Sequence, residues 1–204
     1  MAVPPGCRDR THSMTERTTD TQLDRIFLDR WSPRAYDGSS MPEADLRTIL
    51  DAARWAPSSY NYQPWRFLYA HRDDANWARF LGLLIPFNQS WAQNASVLLF
   101  VVSERTMGSP DKPSHNHSFD AGAAWAQLAL QASISGYAAH GMVGLDYPRA
   151  AVELGVPEGF RIEAAISIGR RADPSTLPEG LREREVPSGR KPIEEIAFAG
   201  NFAG

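Results

Sequence analysis

The run of apolar and β-branched side chains at residues 96–103 limits the possible folds of this chain more than any other segment. Because it lacks polar alternation, it predicts a central strand buried on both faces of a sheet. Further strands are predicted at residues 66–71 and 164–169, and helices at residues 21–28, 75–83 and 119–139. Helices and strands alternate without a strict βαβ period, which favours a mixed α+β sheet with helices packed on it.

Another helix is predicted between the first two segments. Ser40 and Glu43 form a capping box, with Ser40 as the N-cap and Pro42 in the first turn, and Pro57 ends the helix. The small-residue helix at 119–139 permits close packing, so we expect it at the centre of the fold or at a subunit contact.

Composition excludes several classes of protein. The 204 residues suffice for one domain, and the net charge of −3 argues against nucleic-acid binding. No apolar run approaches the ~20 residues of a membrane helix, and Cys7, the single cysteine, cannot form an internal disulfide. We expect a cytoplasmic protein with a disordered tail at residues 1–20 and one domain at 21–204; Met14 is an alternative start.

The most informative loop lies between the second helix and the first strand. It carries Pro57, Ser58, Ser59 and Asn61, and runs through Gln63-Pro64-Trp65 into the strand. The prolines restrict the backbone, and polar side chains on a rigid loop suit a ligand site. A simple connector with local turn hydrogen bonds is the alternative.

Four other polar clusters are candidates for binding. Arg30-Trp31-Ser32-Pro33-Arg34 could contact anions, Asn88 could pair with a heterocycle edge, and Gly141-Met142-Val143-Gly144 could bring backbone N–H groups close to a planar ligand. Arg190 offers another anion contact near the C-terminus. The alternatives are, in turn, a solvated surface turn, a helix cap and a helix C-cap turn. The pair His115 and His117 lacks further ligands, so no metal site is expected.

Taken in order and spacing, these clusters resemble the nitroreductase-like family of FMN-dependent oxidoreductases over residues 24–198. The 56–65 loop is the most specific element of the resemblance. It implies a mixed, mainly antiparallel central sheet flanked by helices, in an intertwined homodimer. The residues after Lys191 would embrace the second subunit.

The resemblance also implies residue roles. Arg30, Ser32 and Arg190 would bind the FMN phosphate and its neighbourhood, with Trp31 between them; Arg34 would face flavin N1/O2 and Asn88 the pyrimidine edge. The Val143 N–H would point at N5, with Gly141, Met142 and Gly144 around it. Pro57, Ser58, Ser59 and Asn61 would reach the cofactor of the partner subunit. Well-known members often carry a second cation near Trp91, so Arg34 is here the sole cation expected at N1/O2.

The implied activity is hydride transfer from NAD(P)H through flavin N5 to an electron-poor small molecule such as a nitroaromatic or a quinone. A flavin carrier or sensor without turnover, or a branch acting on one dedicated substrate, remains an alternative. The polar loop at 104–118 lies where family members place variable segments that cover the substrate.

Overall fold

The computed structural model describes residues 17–202, so the predicted tail lies largely outside the described residues. Seven α-helices and four β-strands are described in this range. In chain order they are α1 Arg25–Asp29, α2 Glu43–Arg54, β1 Trp65–His71, α3 Trp77–Gly82, α4 Pro86–Ala92, β2 Val97–Glu104, α5 His117–Ile134, β3 Ala138–Met142, α6 Tyr147–Glu153, β4 Phe160–Gly169 and α7 Glu179–Arg182.

The four strands form one sheet in the order β1-β2-β4-β3, and all three pairings are antiparallel. The prediction of a mixed sheet was therefore wrong, whereas its mainly antiparallel character is confirmed. Strand direction is set by how the helical connections cross the sheet, and the local side-chain pattern carries no record of that path.

The predicted central strand is confirmed, because β2 pairs on both sides and is buried along nearly its whole length. Its side chains alternate between two cores, one on each face of the sheet. Leu98, Phe100 and Val102 join the core formed with Phe80 and Trp91. Val97, Leu99 and Val101 join the core that α2 and α5 cover with side chains such as Ile49 and Leu128.

Several helix boundaries differ from their predictions; α1, for example, begins at Arg25 and not at residue 21, and two of the differences have a clear physical cause. The long helix ends at Ile134, because Gly136 adopts a left-handed φ of 79° and the chain then enters β3. Ala138 and Ala139 at the start of β3 are residues that favour a helix, which hid this strand in the sequence. α2 begins at Glu43 after Pro42, whose extended ψ of 140° excludes it from the helix, so Ser40 is no N-cap and instead hydrogen-bonds Asp73.

Within residues 17–202, no helix is both long and apolar enough to cross a membrane.

Candidate functional site

The backbone of residues 30–34 is fixed by side chains from other parts of the sequence. Arg17 donates from one guanidinium nitrogen to the carbonyl oxygens of Leu28 at 3.1 Å and Arg30 at 2.9 Å. His140 on β3 places Nδ1 2.9 Å from the Pro33 carbonyl oxygen. Since a carbonyl only accepts, Nδ1 must carry the proton. The loop is therefore held from both ends before any ligand binds.

This loop forms one wall of a cavity of about 370 Å³. The lining residues are Arg17, Arg30, Trp31, Ser32, Arg34, His140, Arg184, Val186, Ser188 and Arg190. The structure thus brings together Arg30, Ser32 and Arg190, the three residues predicted to bind phosphate, although they lie up to 160 positions apart. Arg17, His140 and Arg184 join them and were not singled out from the sequence.

The cavity is strongly cationic, with five arginines and no carboxylate side chain among its lining residues. Burial lowers the pKa of Arg30, and the nearby cation Arg190 lowers it further. The pKa of Arg17 is lowered by burial and then by Arg190 and Arg30. None of the five arginines has a carboxylate partner in the described part of the chain. Like charges held together in this way favour binding of an anion.

Beneath Arg34 lies a stack of rings. The guanidinium carbon of Arg34 is 5.8 Å from the centroid of the Trp91 ring, and Trp91 lies 4.8 Å from the His140 ring and 6.4 Å from Tyr36. Trp91 is only 1% exposed, so it supports Arg34 from below and does not offer a face to a ligand.

The environment of His140 keeps its imidazole neutral. Burial lowers the pKa of His140 to about 4. The charge of Arg34 lowers this pKa further, whereas the hydrogen bond to the Pro33 carbonyl opposes the shift. His140 thus contributes a hydrogen bond without adding a further cation at neutral pH. Sequence reasoning missed it because β3 itself was missed.

Asn88 and Gly144, which are 56 positions apart, are in direct contact. Asn88 on α4 is 8% exposed, and its Nδ2 donates to the Gly144 carbonyl oxygen at 3.0 Å. The Ile85 N–H donates to the same oxygen at 3.1 Å. A Cβ at Gly144 would lie 2.6 Å from Asn88 Nδ2, so only glycine fits there without displacement.

The 141–144 turn extends from the strand that carries His140. Gly141 is packed against Trp125 of α5, and a Cβ on it would lie 3.2 Å from the indole. Met142 is buried, whereas Val143 is 73% exposed. Because a strand advances ~3.3 Å per residue, Val143 lies roughly 10 Å along the chain from His140 and the cavity. α4 connects the same two places, because its Trp91 packs against His140 and its Asn88 bonds to Gly144.

The 57–65 loop is strained and well anchored. Tyr60, Asn61 and Gln63 have φ values of 50°, 56° and 52°, which residues other than glycine rarely adopt. The Gln63 N–H donates to Ser58 Oγ at 3.0 Å, and the Ser59 N–H donates to Asp120 Oδ2 at 3.1 Å. Such strain persists only where the surroundings impose it, and it is concentrated at functional sites.

The 57–65 loop is absent from the lining of the cavity of its own chain. Its contacts lie with α5 through Asp120 and with the 104–118 loop, where Tyr62 donates to the Met107 carbonyl oxygen at 3.1 Å. Pro57 and Asn61 are exposed, and Tyr60 is 88% exposed. The loop therefore presents polar and aromatic groups outward. Asp120, buried in the first turn of α5, was not identified from the sequence.

The polar loop at 104–118 carries the histidine pair His115 and His117. His117 Nδ1 lies 2.8 Å from Ser103 Oγ, which donates to Glu163 at 2.6 Å, so this histidine belongs to a structural network. The described residues contain no group of three or more potential metal ligands.

Comparison with known proteins connects this geometry to a family. The model of the nitroreductase family matches residues 28–85. The chain is 55% identical to a solved structure of an oxidoreductase containing FMN, with a TM-score of 0.90 over 92% of this chain and 96% of that one. It is 29% identical to the NADH dehydrogenase of Thermus thermophilus, over 84% of this chain and 92% of that protein.

A nitroreductase family protein from Streptococcus pneumoniae shares the fold, with a TM-score of 0.69 over 86% of this chain and 98% of that one, at 19% identity. The match at residues 28–85 includes the arginine loop and the 57–65 loop, and it ends just before α4 begins at Pro86. Together with the relative that is 55% identical over nearly its whole length, it shows that this chain belongs to the nitroreductase family.

Proposed function

We propose that this protein is an FMN-dependent oxidoreductase that takes hydride from NAD(P)H and reduces an electron-poor small molecule such as a nitroaromatic or a quinone. The observation that carries the proposal is the cavity with five arginines and no acid among its lining residues; β3, which carries His140 into this cavity, leads directly to the Asn88–Gly144 contact. The names of two relatives support it, since one contains FMN and the other is an NADH dehydrogenase.

The residues of the cavity fit the phosphate end of FMN. A phosphate monoester carries between one and two negative charges at neutral pH, and guanidinium groups bind it with paired hydrogen bonds. Arg30, Ser32 and Arg190 would hold this group, with Trp31 alongside. The lowered pKa of Arg30, caused by burial and by Arg190, indicates mutual repulsion that a bound phosphate would relieve.

When bound, FMN would supply the redox chemistry, accepting hydride at N5 and passing it to the acceptor. Arg34 would lie at the N1/O2 edge and stabilise the negative charge that develops there, which raises the reduction potential. Trp91 holds the guanidinium of Arg34 from below at 5.8 Å, so the cation is positioned in advance. Asn88 would contact the pyrimidine edge of the flavin.

The 141–144 turn would approach the ring through its backbone. A Cβ would be a tight fit at Gly141 and would clash at Gly144, and their neighbours Met142 and Val143 complete the turn. We propose that the Val143 N–H is directed at N5. The exposed side chain of Val143 leaves the backbone of this turn accessible from outside the chain.

We further propose a homodimer in which Pro57, Ser58, Ser59 and Asn61 serve the cofactor of the partner subunit. The support is that this loop is strained and anchored in advance, faces outward, and lies outside the cavity of its own chain. The residues after Lys191 would embrace the partner. Exposed apolar side chains in this segment, Ile193 and Ile196, are consistent with a covered surface.

The first experiment measures FMN binding and its reduction. Titration of the purified protein should show stoichiometric FMN binding, and NADH or NADPH should bleach the bound flavin under anaerobic conditions. Arg34→Ala should lower the flavin midpoint potential, whereas Arg34→Lys should retain most of it because the charge remains. Failure to bind FMN would overturn the proposal, and binding without bleaching by either nucleotide would instead indicate a carrier or sensor.

Subunit mixing tests the shared site. Arg30→Ala subunits lack a phosphate contact, and Asn61→Ala subunits lack a loop contact. If the loop serves the partner, reassembled 1:1 mixtures contain one intact site in each mixed dimer, which restores about a quarter of the wild-type sites. If the loop serves its own chain, mixing restores none.

A further inference from the structure

Glu185 connects two parts of the cavity that are distant in sequence. It is an acidic side chain with only 7% exposure. Its Oε1 accepts hydrogen bonds from the backbone N–H groups of Arg34 at 2.7 Å and Ala35 at 2.8 Å. Hydrogen bonds to a carboxylate are short and strong, and two N–H groups directed at one oxygen fix both segments.

These bonds join two walls of the cavity. One wall is the arginine loop at residues 30–34. The other is the closing segment, residues 184–190, which contributes Arg184, Val186, Ser188 and Arg190 to the lining. Before this segment, Leu181 is buried at 4% exposure, and within it the Glu185 N–H donates back to the Arg182 carbonyl oxygen. At the end of the segment, the side chain of Arg190 forms hydrogen bonds, among the described residues, only with the nearby carbonyl oxygens of Ser188 and Gly189. Glu185 is therefore a buried anchor in a segment that is exposed on both sides of it.

Glu185 also carries a charge close to that of Arg34. The second carboxylate oxygen, Oε2, is buried and has no hydrogen-bond partner among the described residues, and the same holds for Nε of Arg34. Both charges act on Tyr36, whose pKa is raised mainly by burial; Glu185 adds to the rise and Arg34 opposes it. A buried anion beside the cavity offsets part of the field of Arg34.

We infer that Glu185 is a positioning residue with two separable effects: its hydrogen bonds hold the closing segment against the arginine loop, and its charge tempers the cation Arg34. The second effect rests on the proposed function, because it is expressed as a lower reduction potential of bound FMN. The first effect concerns the protein chain alone.

Two variants separate the effects. Glu185→Ala removes both hydrogen bonds and the charge. Glu185→Gln removes the charge, but its amide oxygen can still accept from Arg34 and Ala35. Glu183→Gln is the matched control, since Glu183 is an exposed acid two positions away.

Tryptic cleavage after Arg190 in the FMN-free protein measures the anchoring. We expect Glu185→Ala to be cleaved about tenfold faster than wild type, because two charge-assisted hydrogen bonds are lost. Glu185→Gln should stay within about threefold of wild type, since its oxygen preserves the contacts. Cleavage of Glu185→Ala at the wild-type rate would overturn the anchoring.

FMN titration and redox potentiometry measure the charge. Glu185→Ala should bind FMN about tenfold more weakly, in step with its faster cleavage. Glu185→Gln should bind within about threefold of wild type but show a less negative midpoint potential, opposite in direction to Arg34→Ala. An unchanged potential in Glu185→Gln would refute the effect of the charge. If wild type fails to bind FMN, the proposed function fails, while the cleavage measurement still decides the anchoring.

Discussion

Gly144→Ala is the substitution for which the structure makes the sharpest prediction. The added Cβ would lie 2.6 Å from Asn88 Nδ2 and 2.7 Å from Ile85 Cδ1. Ile85 can yield because Cδ1 is the tip of a flexible side chain. Asn88 cannot move as freely, since it is 8% exposed and donates to the Gly144 carbonyl oxygen at 3.0 Å. Ordinary contact with the new methyl would require its amide to retreat by roughly 1 Å, which breaks that hydrogen bond.

The expected cost combines two terms. Leaving a buried amide without its acceptor costs about 1–3 kcal/mol, and forcing a methyl into a packed site costs about 1–3 kcal/mol. Because the retreat of Asn88 relieves part of the overpacking, we expect the FMN-free protein to lose about 2–4 kcal/mol of unfolding free energy. For a domain of this size, that corresponds to a fall in Tm of roughly 5–15 °C.

The assay is urea unfolding of the FMN-free protein, with Gly159→Ala as the control. A Cβ at Gly159 would meet nothing within 4 Å, so the control should match wild type or gain up to about 1 kcal/mol. In the double variant Gly144→Ala/Asn88→Ala, the clash with the amide is gone, so the combined loss should fall short of additivity by at least about 1 kcal/mol. A Gly144→Ala protein as stable as the Gly159→Ala control would refute this reasoning.

Two further predictions concern His140 and Asp120, polar residues that hold loops of the candidate site. His140 has a folded-state pKa near 4, below the value of 6.5 for an exposed histidine, so it should stabilise the fold fully above pH 6.5 and lose up to about 3 kcal/mol of that contribution as the pH falls toward 4. Comparing pH profiles of unfolding free energy should show a shallower acid-side slope in His140→Asn, and identical slopes would contradict the assignment. Asp120→Ala leaves the Ser59 N–H without its acceptor and should cost about 1–3 kcal/mol in urea unfolding and speed proteolysis within the 57–65 loop, whereas unchanged cleavage there would exclude Asp120 as its anchor.

The family was predictable because short segments carry its motifs. The arginine loop and the 57–65 loop are such segments, and the family that their motifs indicate is confirmed by the comparisons. The two-faced burial of β2 was likewise visible, because a strand with no polar alternation can lie only in the interior.

The residues that support the site could not be predicted in this way. Glu185 acts on a backbone 150 positions earlier, and Asp120 anchors a loop 61 positions earlier. A lone acid in a sequence gives no signal of which N–H group it will accept from. His140 was hidden for another reason, since the small residues before it suit a helix as well as a strand.

The cavity combines a firmly held backbone with unbalanced side-chain charge. Arg17, His140 and Glu185 all bond to the main chain of residues 28–35 and thus satisfy the groups that a loop usually leaves to water. The arginines that line the cavity have no carboxylate among the other lining residues, and the charges of Arg17, Arg30 and Arg190 repel one another. A flexible loop would relax by moving its cations apart, so the anchors are what keep them together. An anion that enters therefore meets cations already in place and relieves their repulsion without a cost of reordering the loop, which is the physical basis of preorganised binding.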